Sequence, residues 1–182
     1  MNVLHYLAYG SNLHPLRLTA RVPSARFVGL TTIPGYKLLF HKCHQEDQSG
    51  KCNMYLTGQA TDAVIGAIYT MQVEEKPLLD QCEGPGYRCA SLRLELAGQA
   101  RDCFVYVAEH SHIDDQLVAH CWYKNIVLLG AEYHRMPEPY LDTIRGVKAA
   151  QDPGEARRRR HYELIDRMKQ FTTAAINLDQ QG

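Results

Sequence analysis

The first 110 residues carry short apolar runs rich in β-forming residues, and Gly-containing turns separate several of them. Runs of this kind are typical of β-strands, and so many short strands in one part of a chain predict a curled sheet or a barrel. The predicted strands are Val3–Ala8, Arg26–Leu30, Tyr36–Phe40, Asn53–Thr57, Val64–Met71, Tyr87–Leu96 and Asp102–Ala108.

Two stretches within this β-rich part change to a helical spacing of apolar positions. Asn12–Ala20 is predicted as a short helix, because Pro15 suits a first helical turn and the apolar residues fall on one face. Val73–Cys82 is predicted as a second helix, with acidic residues in its first turn and Gly84 directly after its end.

After residue 110 the apolar period becomes about 3.6, which predicts helices. A first helix is predicted to begin at Ser111 and to end at Gly130, and a second is predicted over Pro137–Ile144. The last helix is predicted to begin at Asp152 as N-cap, with Glu155 completing a capping box. Strands followed by helices indicate the α+β class.

The 182 residues fall within the usual size range of one domain. We assign residues 1–171 to a single domain, because the last predicted helix has its apolar stripe before residue 171. Residues 172–182 are predicted to be a frayed C-terminal tail.

The formal net charge is zero, because the chain has 20 Lys and Arg residues and 20 Asp and Glu residues. A neutral chain favours a small-molecule substrate over a nucleic acid or an anionic membrane as partner. The N-terminal residues lack the pattern of a signal peptide, and no stretch approaches the ~20 apolar residues that span a bilayer. We expect a cytoplasmic protein, either a monomer or a homodimer.

Three groups of residues suggest other chemistry without matching its usual spacing. The six cysteines include no CxxC pair, which favours reduced, mostly packed thiols. His41–Cys52 and His110–His112 match no zinc-binding spacing, so we expect no metal there. Arg157–Arg160 lies inside the last predicted helix, where it is better explained as a solvated face than as a nucleic-acid contact.

One candidate binding segment lies where the first strand ends. It consists of Tyr9, Gly10, Ser11, Asn12 and Leu13. Successive amides of a glycine turn at a helix N-terminus form a concave set of donors that suits a carboxylate or an amide oxygen. The segment lacks the length and lysine of a phosphate loop. From the residues alone, a tight turn with an Asn cap explains it equally well.

One candidate catalytic residue, Glu83, lies in the last turn of the second predicted helix, directly before Gly84. A carboxylate at the negative end of a helix dipole costs about 0.3–1 kcal/mol when exposed. In an apolar pocket, the dipole and burial together would raise its pKa toward the range that suits proton transfer near neutrality. The alternative is a surface glutamate in a turn.

These two segments, in this order, resemble the γ-glutamylcyclotransferase-like family. Its members carry a YGSN(L) loop directly after the first strand and an acidic catalytic residue in an EG turn that a tyrosine follows closely. The resemblance covers most of residues 4–150. Further matching segments are Pro23–Ala25, Tyr36–Leu38, Val64–Tyr69, Tyr123–Ile126, Gly130–Ala131, Pro137 and Tyr140.

The resemblance implies an α+β fold with a mixed, β-barrel-like sheet, flanking helices and a helical C-terminal part. It also implies that the Tyr9–Leu13 loop binds a γ-glutamyl group, and that Glu83 is the general base and acid. Tyr87 and Tyr123 match tyrosines near the family's pocket. The chain departs from the family's pattern at Gln81-Cys82 and in residues 41–52, which leaves the identity of the substrate open.

The predicted reaction is intramolecular cyclisation of a γ-glutamyl amino acid or amine, which releases 5-oxoproline and the free amine. One carboxylate suffices for the proton transfers, so no nucleophile, metal or organic cofactor is needed. Two alternatives remain. One is a binding module of the same fold without turnover, and the other is a related cyclotransferase that acts on γ-glutamyl-lysine or glutathione.

Overall fold

A computed structural model of the chain describes residues 2–96 and 98–179. The strands are β1 (Val3–Ala8), β2 (Arg26–Pro34), β3 (Tyr36–His44), β4 (Ser49–Leu56), β5 (Ala63–Gln72), β6 (Tyr87–Leu96), β7 (Gln99–Ala108), β8 (Ala119–His120) and β9 (Ala149–Ala150). The helices are α1 (Pro15–Arg21), α2 (Lys76–Glu83), α3 (Cys121–Tyr133), α4 (Glu138–Arg145) and α5 (Glu155–Asp179). The predicted strands are all present, and several are longer than predicted.

Five strands form one mixed sheet in the order β2-β5-β1-β7-β6. The central strand β1 pairs antiparallel with β5 and parallel with β7, so β1 has a neighbouring strand on each side. The β3–β4 hairpin and the β8–β9 pair are separate two-stranded sheets. This order places the segment after β1 near the middle of the fold, where several elements can contact it.

The five-stranded sheet is strongly curled. Its edge strands approach each other so closely that a Cβ added at Gly29 in β2 would lie 2.9 Å from Leu96 Cδ1 in β6. A register shift between Phe27 and Gly29 interrupts β2 near this contact, and such bulges increase local bending. No hydrogen-bonded ladder joins β2 to β6 in the described chain, so the predicted barrel is a curled, open sheet.

One hydrophobic core contains residues of the curled sheet, α3 and α5, and α5 packs on α3. Leu7 of β1 pairs with Ile68 of β5, and both side chains are fully buried. Ile126 of α3 and Met168 of α5 are buried in the same cluster. Burial of each such side chain stabilises the fold by about 1.5–3 kcal/mol. The core therefore holds the elements around the end of β1 in fixed positions.

The predicted helix from Ser111 to Gly130 is wrong over its first ten residues. The segment instead has a 3₁₀ turn at His110–His112, and α3 begins only at Cys121. Asp114 turns the chain, because its carboxylate accepts a hydrogen bond from the Gln116 amide at 2.9 Å. Local Asp hydrogen bonds and the pairing of β8 with β9 therefore override the helical spacing.

Gly130 does not end α3, which continues to Tyr133. A Cβ at Gly130 would lie 2.5 Å from Leu13 Cβ and 2.9 Å from the His14 amide nitrogen. The glycine thus lets the helix approach the segment that follows β1. Its role is close packing rather than termination of the helix.

The helix α1 begins at Pro15, three residues later than predicted. The N-cap is His14, whose Nδ1 accepts a hydrogen bond from the Leu16 amide at 3.2 Å. Residues 10–13 form a turn instead, in which the Leu13 amide donates to the Gly10 carbonyl oxygen at 3.0 Å. The Asn12 side chain is consequently free for contacts outside the helix.

The last helix, α5, begins at Glu155 and continues to Asp179, beyond the predicted end of the domain. The predicted N-cap, Asp152, lies three residues before the first helical residue, so Gly154 rather than Asp152 directly precedes the helix. The Asp152 carboxylate accepts a hydrogen bond from the Gly154 amide at 2.8 Å and so still fixes the turn that leads into the helix. A frayed tail was expected from Thr172, but Thr172 Oγ1 lies 3.1 Å from His14 Nε2 and Phe171 packs on the same ring. These contacts hold the helix against α1. Residues 180–182 lie outside the described residues.

No helix in the described residues is both long enough and apolar enough to cross a lipid bilayer.

Candidate active site

The segment after β1 forms a tight loop against the β3–β4 hairpin. A Cβ at Gly10 would lie 2.9 Å from Cys52 Cβ, so only glycine allows this approach. Gly10 is not among the residues with positive φ, so close packing rather than a left-handed backbone requires it. Among the described residues, no acceptor takes a hydrogen bond from the amides of Ser11 and Asn12. These amides are therefore available to a ligand.

The Asn12 side chain connects the loop to Glu83. Its Nδ2 donates a hydrogen bond of 2.7 Å to Glu83 Oε1 and another of 3.1 Å to the Tyr6 hydroxyl. Its Oδ1 accepts a hydrogen bond of 2.9 Å from Arg21 Nη1. Because Asn12 is itself buried, these bonds fix the carboxylate beside the loop.

Glu83 is the last residue of α2, and Gly84 ends that helix with a φ of 69°. The Glu83 side chain is only 16% exposed. Burial raises the pKa of Glu83 above its usual value, although Arg21, Arg17, Asn12 and Lys42 oppose this shift. A buried carboxyl with a raised pKa can accept a proton from a substrate and return it.

Hydroxyl groups of three tyrosines tie the walls of the cavity together. The Tyr87 hydroxyl donates to the Cys52 carbonyl oxygen at 2.6 Å, and the Cys52 amide donates to the Tyr123 hydroxyl at 3.1 Å. The Tyr9 hydroxyl donates to the Tyr106 carbonyl oxygen at 2.6 Å. Burial raises the pKa of Tyr9, Tyr87 and Tyr123 well above the usual tyrosine value, so these phenols are neutral.

These groups surround one narrow cavity with an empty volume of about 280 Å³, its mouth included. Seven of the eight residues predicted for the site line it. The lining residues are Tyr6, Tyr9, Gly10, Ser11, Asn12, Cys52, Glu83, Tyr87, Tyr106 and Tyr123. The loop and the Glu83 carboxylate thus line the same narrow space.

Leu13 has a different position from the rest of the loop. Its side chain is fully buried, and its carbonyl oxygen accepts hydrogen bonds from the Tyr69 hydroxyl at 2.6 Å and from His134 Nε2 at 2.9 Å. Leu13 therefore supports the loop from behind.

Tyr6, Cys52 and Tyr106 line the cavity but were not predicted from the sequence. Each lies in a strand, and the strand pattern does not indicate which strand faces meet at the cavity. The orientation of Tyr6 follows from its pairing with Tyr69 of β5, and this pairing is known only once the register of β1 is known. Their side chains fill space between elements that are far apart in the chain.

Of the residues considered for a metal, His41 has both ring nitrogens within hydrogen-bond distance of other protein side chains. His41 Nδ1 lies 2.7 Å from Asp115 Oδ1, and His41 Nε2 lies 2.9 Å from Asn53 Nδ2. No group of three or more potential ligands among His, Cys, Asp and Glu comes together in the described residues. Residues 41–52 belong to β3, β4 and the turn between them. Of these residues, Cys52 lines the cavity.

The chain matches the family model described as gamma-glutamyl cyclotransferase, AIG2-like, over residues 6–125. This match covers about two thirds of the chain and includes the loop, Glu83, Tyr87 and Tyr123. A comparison with curated protein sequences gives no significant match.

Several solved structures share the fold. One is described as a gamma-glutamyl cyclotransferase, with 22% identity and a TM-score of 0.77 over 91% of this chain and 99% of that one. An uncharacterized protein from Homo sapiens has 23% identity and a TM-score of 0.77 over the same shares of both chains. A yeast cyclotransferase described as specific to glutathione has 10% identity and a TM-score of 0.52, over 92% of this chain and 97% of its own. These similarities confirm the predicted α+β fold with its mixed sheet and flanking helices.

Proposed function

This chain belongs to the gamma-glutamyl cyclotransferase, AIG2-like family, and from that membership we propose that it cyclises a γ-glutamyl amine with Glu83 as general base and acid. The products are 5-oxoproline and the free amine. The observation that carries this proposal is the 2.7 Å hydrogen bond from Asn12 to Glu83 at the edge of the loop. It holds a buried carboxylate next to backbone amides that have no acceptor among the described residues.

In the proposed reaction, Glu83 first removes a proton from the substrate's ammonium group. The amine nitrogen then attacks the carbonyl carbon of its own side-chain amide, and a bond forms that closes a five-membered ring. The bond from this carbon to the departing nitrogen breaks as protonated Glu83 delivers the proton to that nitrogen. The restored Glu83 carboxylate then removes the second proton from the ring nitrogen, which keeps one hydrogen in 5-oxoproline, and passes it to the released amine, which departs as an ammonium. Two protons thus move from the attacking nitrogen to the departing nitrogen, and no covalent intermediate with the protein forms.

Positioning supplies much of the expected rate enhancement. Holding two reacting groups of one molecule in a near-attack arrangement lowers the barrier by up to about 7–11 kcal/mol in model systems. We assign this role to the amides of Ser11 and Asn12, which would bind oxygen atoms of the γ-glutamyl group. A donor placed near the attacked carbonyl would also stabilise the oxyanion as it develops.

The direct test replaces Glu83 by glutamine, which keeps the shape of the side chain and removes its ability to titrate. We expect release of 5-oxoproline to fall by about 10²–10⁴-fold, the usual contribution of general acid–base catalysis. The matched control is Glu74→Gln, because Glu74 is an exposed glutamate nine positions earlier. Full activity in Glu83→Gln, with the folded state intact by circular dichroism, would refute the mechanism.

The substrate class needs its own experiment. A panel of γ-glutamyl amino acids, γ-glutamyl-lysine and glutathione, assayed for 5-oxoproline, would separate the enzymatic alternatives. Tight binding of one of these compounds without product over hours would instead favour a binding module.

We also propose a cytoplasmic location, supported by the free thiols of all six cysteines.

A further inference from the structure

A second, larger cavity adjoins the narrow one and shares Ser11, Glu83, Tyr87 and Tyr123 with it. Its empty volume is about 1150 Å³, with its open mouth included. We call this cavity the basic vestibule, since its cationic lining residues are Arg17, Arg21, Lys51, Arg157, Arg160 and Arg167. The acidic lining residues are Glu46, Asp47 and Glu83. Because the whole chain is neutral, this excess of positive charge is local.

Half of the cations in the basic vestibule have acidic partners in the protein. These pairs are Lys51–Asp47 at 2.6 Å, Arg157–Asp152 at 2.6 Å and Arg21–Glu83 at 4.0 Å. Across residues 2–96 and 98–179, no ion pair involves Arg17, Arg160 or Arg167. Three guanidinium groups remain for a ligand.

Arg17 gives the strongest indication of a ligand-binding site. Its Nε is buried and has no hydrogen-bond partner in the described part of the chain. Burial and the neighbouring Arg21 lower the pKa of Arg17 to about 10, so the group stays charged at neutral pH. A buried charged donor without an acceptor is rare, because the lost hydration is not replaced.

The positive potential of the vestibule also acts on the neighbouring His161 ring. His161 of α5 stacks on Trp122 with a centroid separation of 3.5 Å and an interplanar angle of 9°. Burial, together with Arg17, Lys51 and Arg160, lowers the pKa of His161 to about 4. The imidazole is thus neutral at pH 7, and it lines the vestibule together with the unpaired arginines.

We propose that the basic vestibule selects γ-glutamyl substrates whose departing amine carries more than one negative charge, such as an acidic amino acid. Arg17 and Arg160 are then the specificity-determining residues. The inference rests on the proposed function, because it places the departing amine on the vestibule side of Glu83. One carboxylate requires one guanidinium, whereas three are unpaired here. Arginine is well suited to this task, since its planar fork binds a carboxylate through two hydrogen bonds.

The test compares γ-glutamyl-glutamate with γ-glutamyl-glutamine, which have nearly the same shape and differ by one charge. We expect wild-type kcat/KM to be about tenfold higher for the acidic substrate, the effect of one charge-assisted hydrogen bond. This preference should weaken with added salt. In Arg17→Gln and in Arg160→Gln, the ratio should fall toward one, mainly through a higher KM for the acidic substrate.

The matched control is Arg159→Gln, because Arg159 is exposed, adjacent in sequence and outside the vestibule lining. This variant should keep the wild-type ratio. Arg17 is partly buried, and a loss of activity in its variant can reflect misfolding, whereas Arg160 is exposed and keeps the test decisive. Charge reversal in Arg160→Glu should move the preference toward γ-glutamyl-lysine, an effect that loss of packing alone does not produce.

Two results would overturn the inference in distinguishable ways. If wild-type protein releases 5-oxoproline equally well from both substrates, the vestibule does not select charge, although the proposed function stands. If no γ-glutamyl compound yields 5-oxoproline, the proposed function fails and the inference falls with it.

Discussion

Asn12 Nδ2 lies 2.7 Å from Glu83 Oε1, and this hydrogen bond joins segments 71 positions apart in the chain. The bond stabilises the ionised form of the carboxyl, whereas burial favours the protonated form. The pKa of Glu83 is therefore set by opposing effects that can be altered separately.

Asn12→Ala should lower activity and change its pH dependence. Removal of the donor destabilises the Glu83 carboxylate, so its pKa rises further, and the acid limb of the kcat/KM profile should move to higher pH. We also expect a loss of about 1–3 kcal/mol in unfolding free energy, because buried partners lose their hydrogen bonds. The pH profile and a urea titration measure both effects.

Arg21→Met provides an independent check on that interpretation. It leaves Asn12 in place but removes the cation 4.0 Å from Glu83 Oε1, and should move the acid limb in the same direction. An unchanged acid limb in both variants would show that Glu83 is not the group that titrates.

Glu83→Gln should make the protein more stable at neutral pH while it lowers activity by about 10²–10⁴-fold. The folded-state pKa of Glu83 is raised, so the folded protein binds this proton more tightly than the unfolded chain does. Stability from this group is thus present below the unfolded-state value and decreases as pH rises through the folded-state value. Glutamine avoids that loss.

Thermal denaturation at several pH values measures this difference. The melting temperature of Glu83→Gln should exceed that of the wild type at pH 7, and the gap should shrink at pH 4. A lower melting temperature at pH 7 would mean that the carboxylate stabilises the fold.

Asp152 should behave in the opposite way. Arg157, a Gly154 amide and the Trp122 indole all donate to its carboxylate and hold its pKa well below the usual range. Because the folded-state pKa is depressed, this stabilisation is present above the unfolded-state value of about 3.8 and is lost as pH falls below it.

Asp152→Ala should therefore cost about 3–5 kcal/mol at pH 7, since it leaves Arg157 and other donors without their acceptor. Denaturant titrations at pH 7 and pH 3 measure the loss, which should be smaller at the lower pH. An equal loss at both values would show that packing, not charge, is responsible.

Gly130→Ala should destabilise the protein by about 1–3 kcal/mol, the usual cost of overpacking. The new methyl group would lie 2.5 Å from Leu13 Cβ, so α3 or the loop must move. Activity should fall as well, because the loop that carries the amides is displaced. Unchanged stability and activity would mean that the two elements separate at little cost.

The convergence of the loop and Glu83 could be anticipated from the sequence, because both segments carry motifs of one family in the right order. Tyr87 and Tyr123 follow for the same reason, and the structure places both on the cavity wall. Their roles in turnover remain predictions. The strands were also accessible, since β-rich runs separated by turn residues are a local signal.

Features that depend on contacts between elements distant in the sequence could not be predicted from local patterns. The Ser111–Gly130 stretch has a helical spacing, yet its Asp114 amide donates to the His41 carbonyl oxygen at 2.9 Å and the chain stays irregular. Arg157–Arg160 looked like one solvated face, but Arg157 binds Asp152 and Arg160 lines the basic vestibule. The sequence of a charge run does not indicate which of its residues form ion pairs and which line a cavity.

The Asn12 side chain uses both of its amide hydrogens inside the protein, on Tyr6 and Glu83. Under the proposed function, recognition by the loop would therefore fall to the peptide backbone, which point mutations cannot change directly. Divergence within the family would then keep the glutamyl half of the ligand constant. New preferences would arise in the surrounding walls, where single substitutions can reshape what is accepted without disturbing the reacting groups.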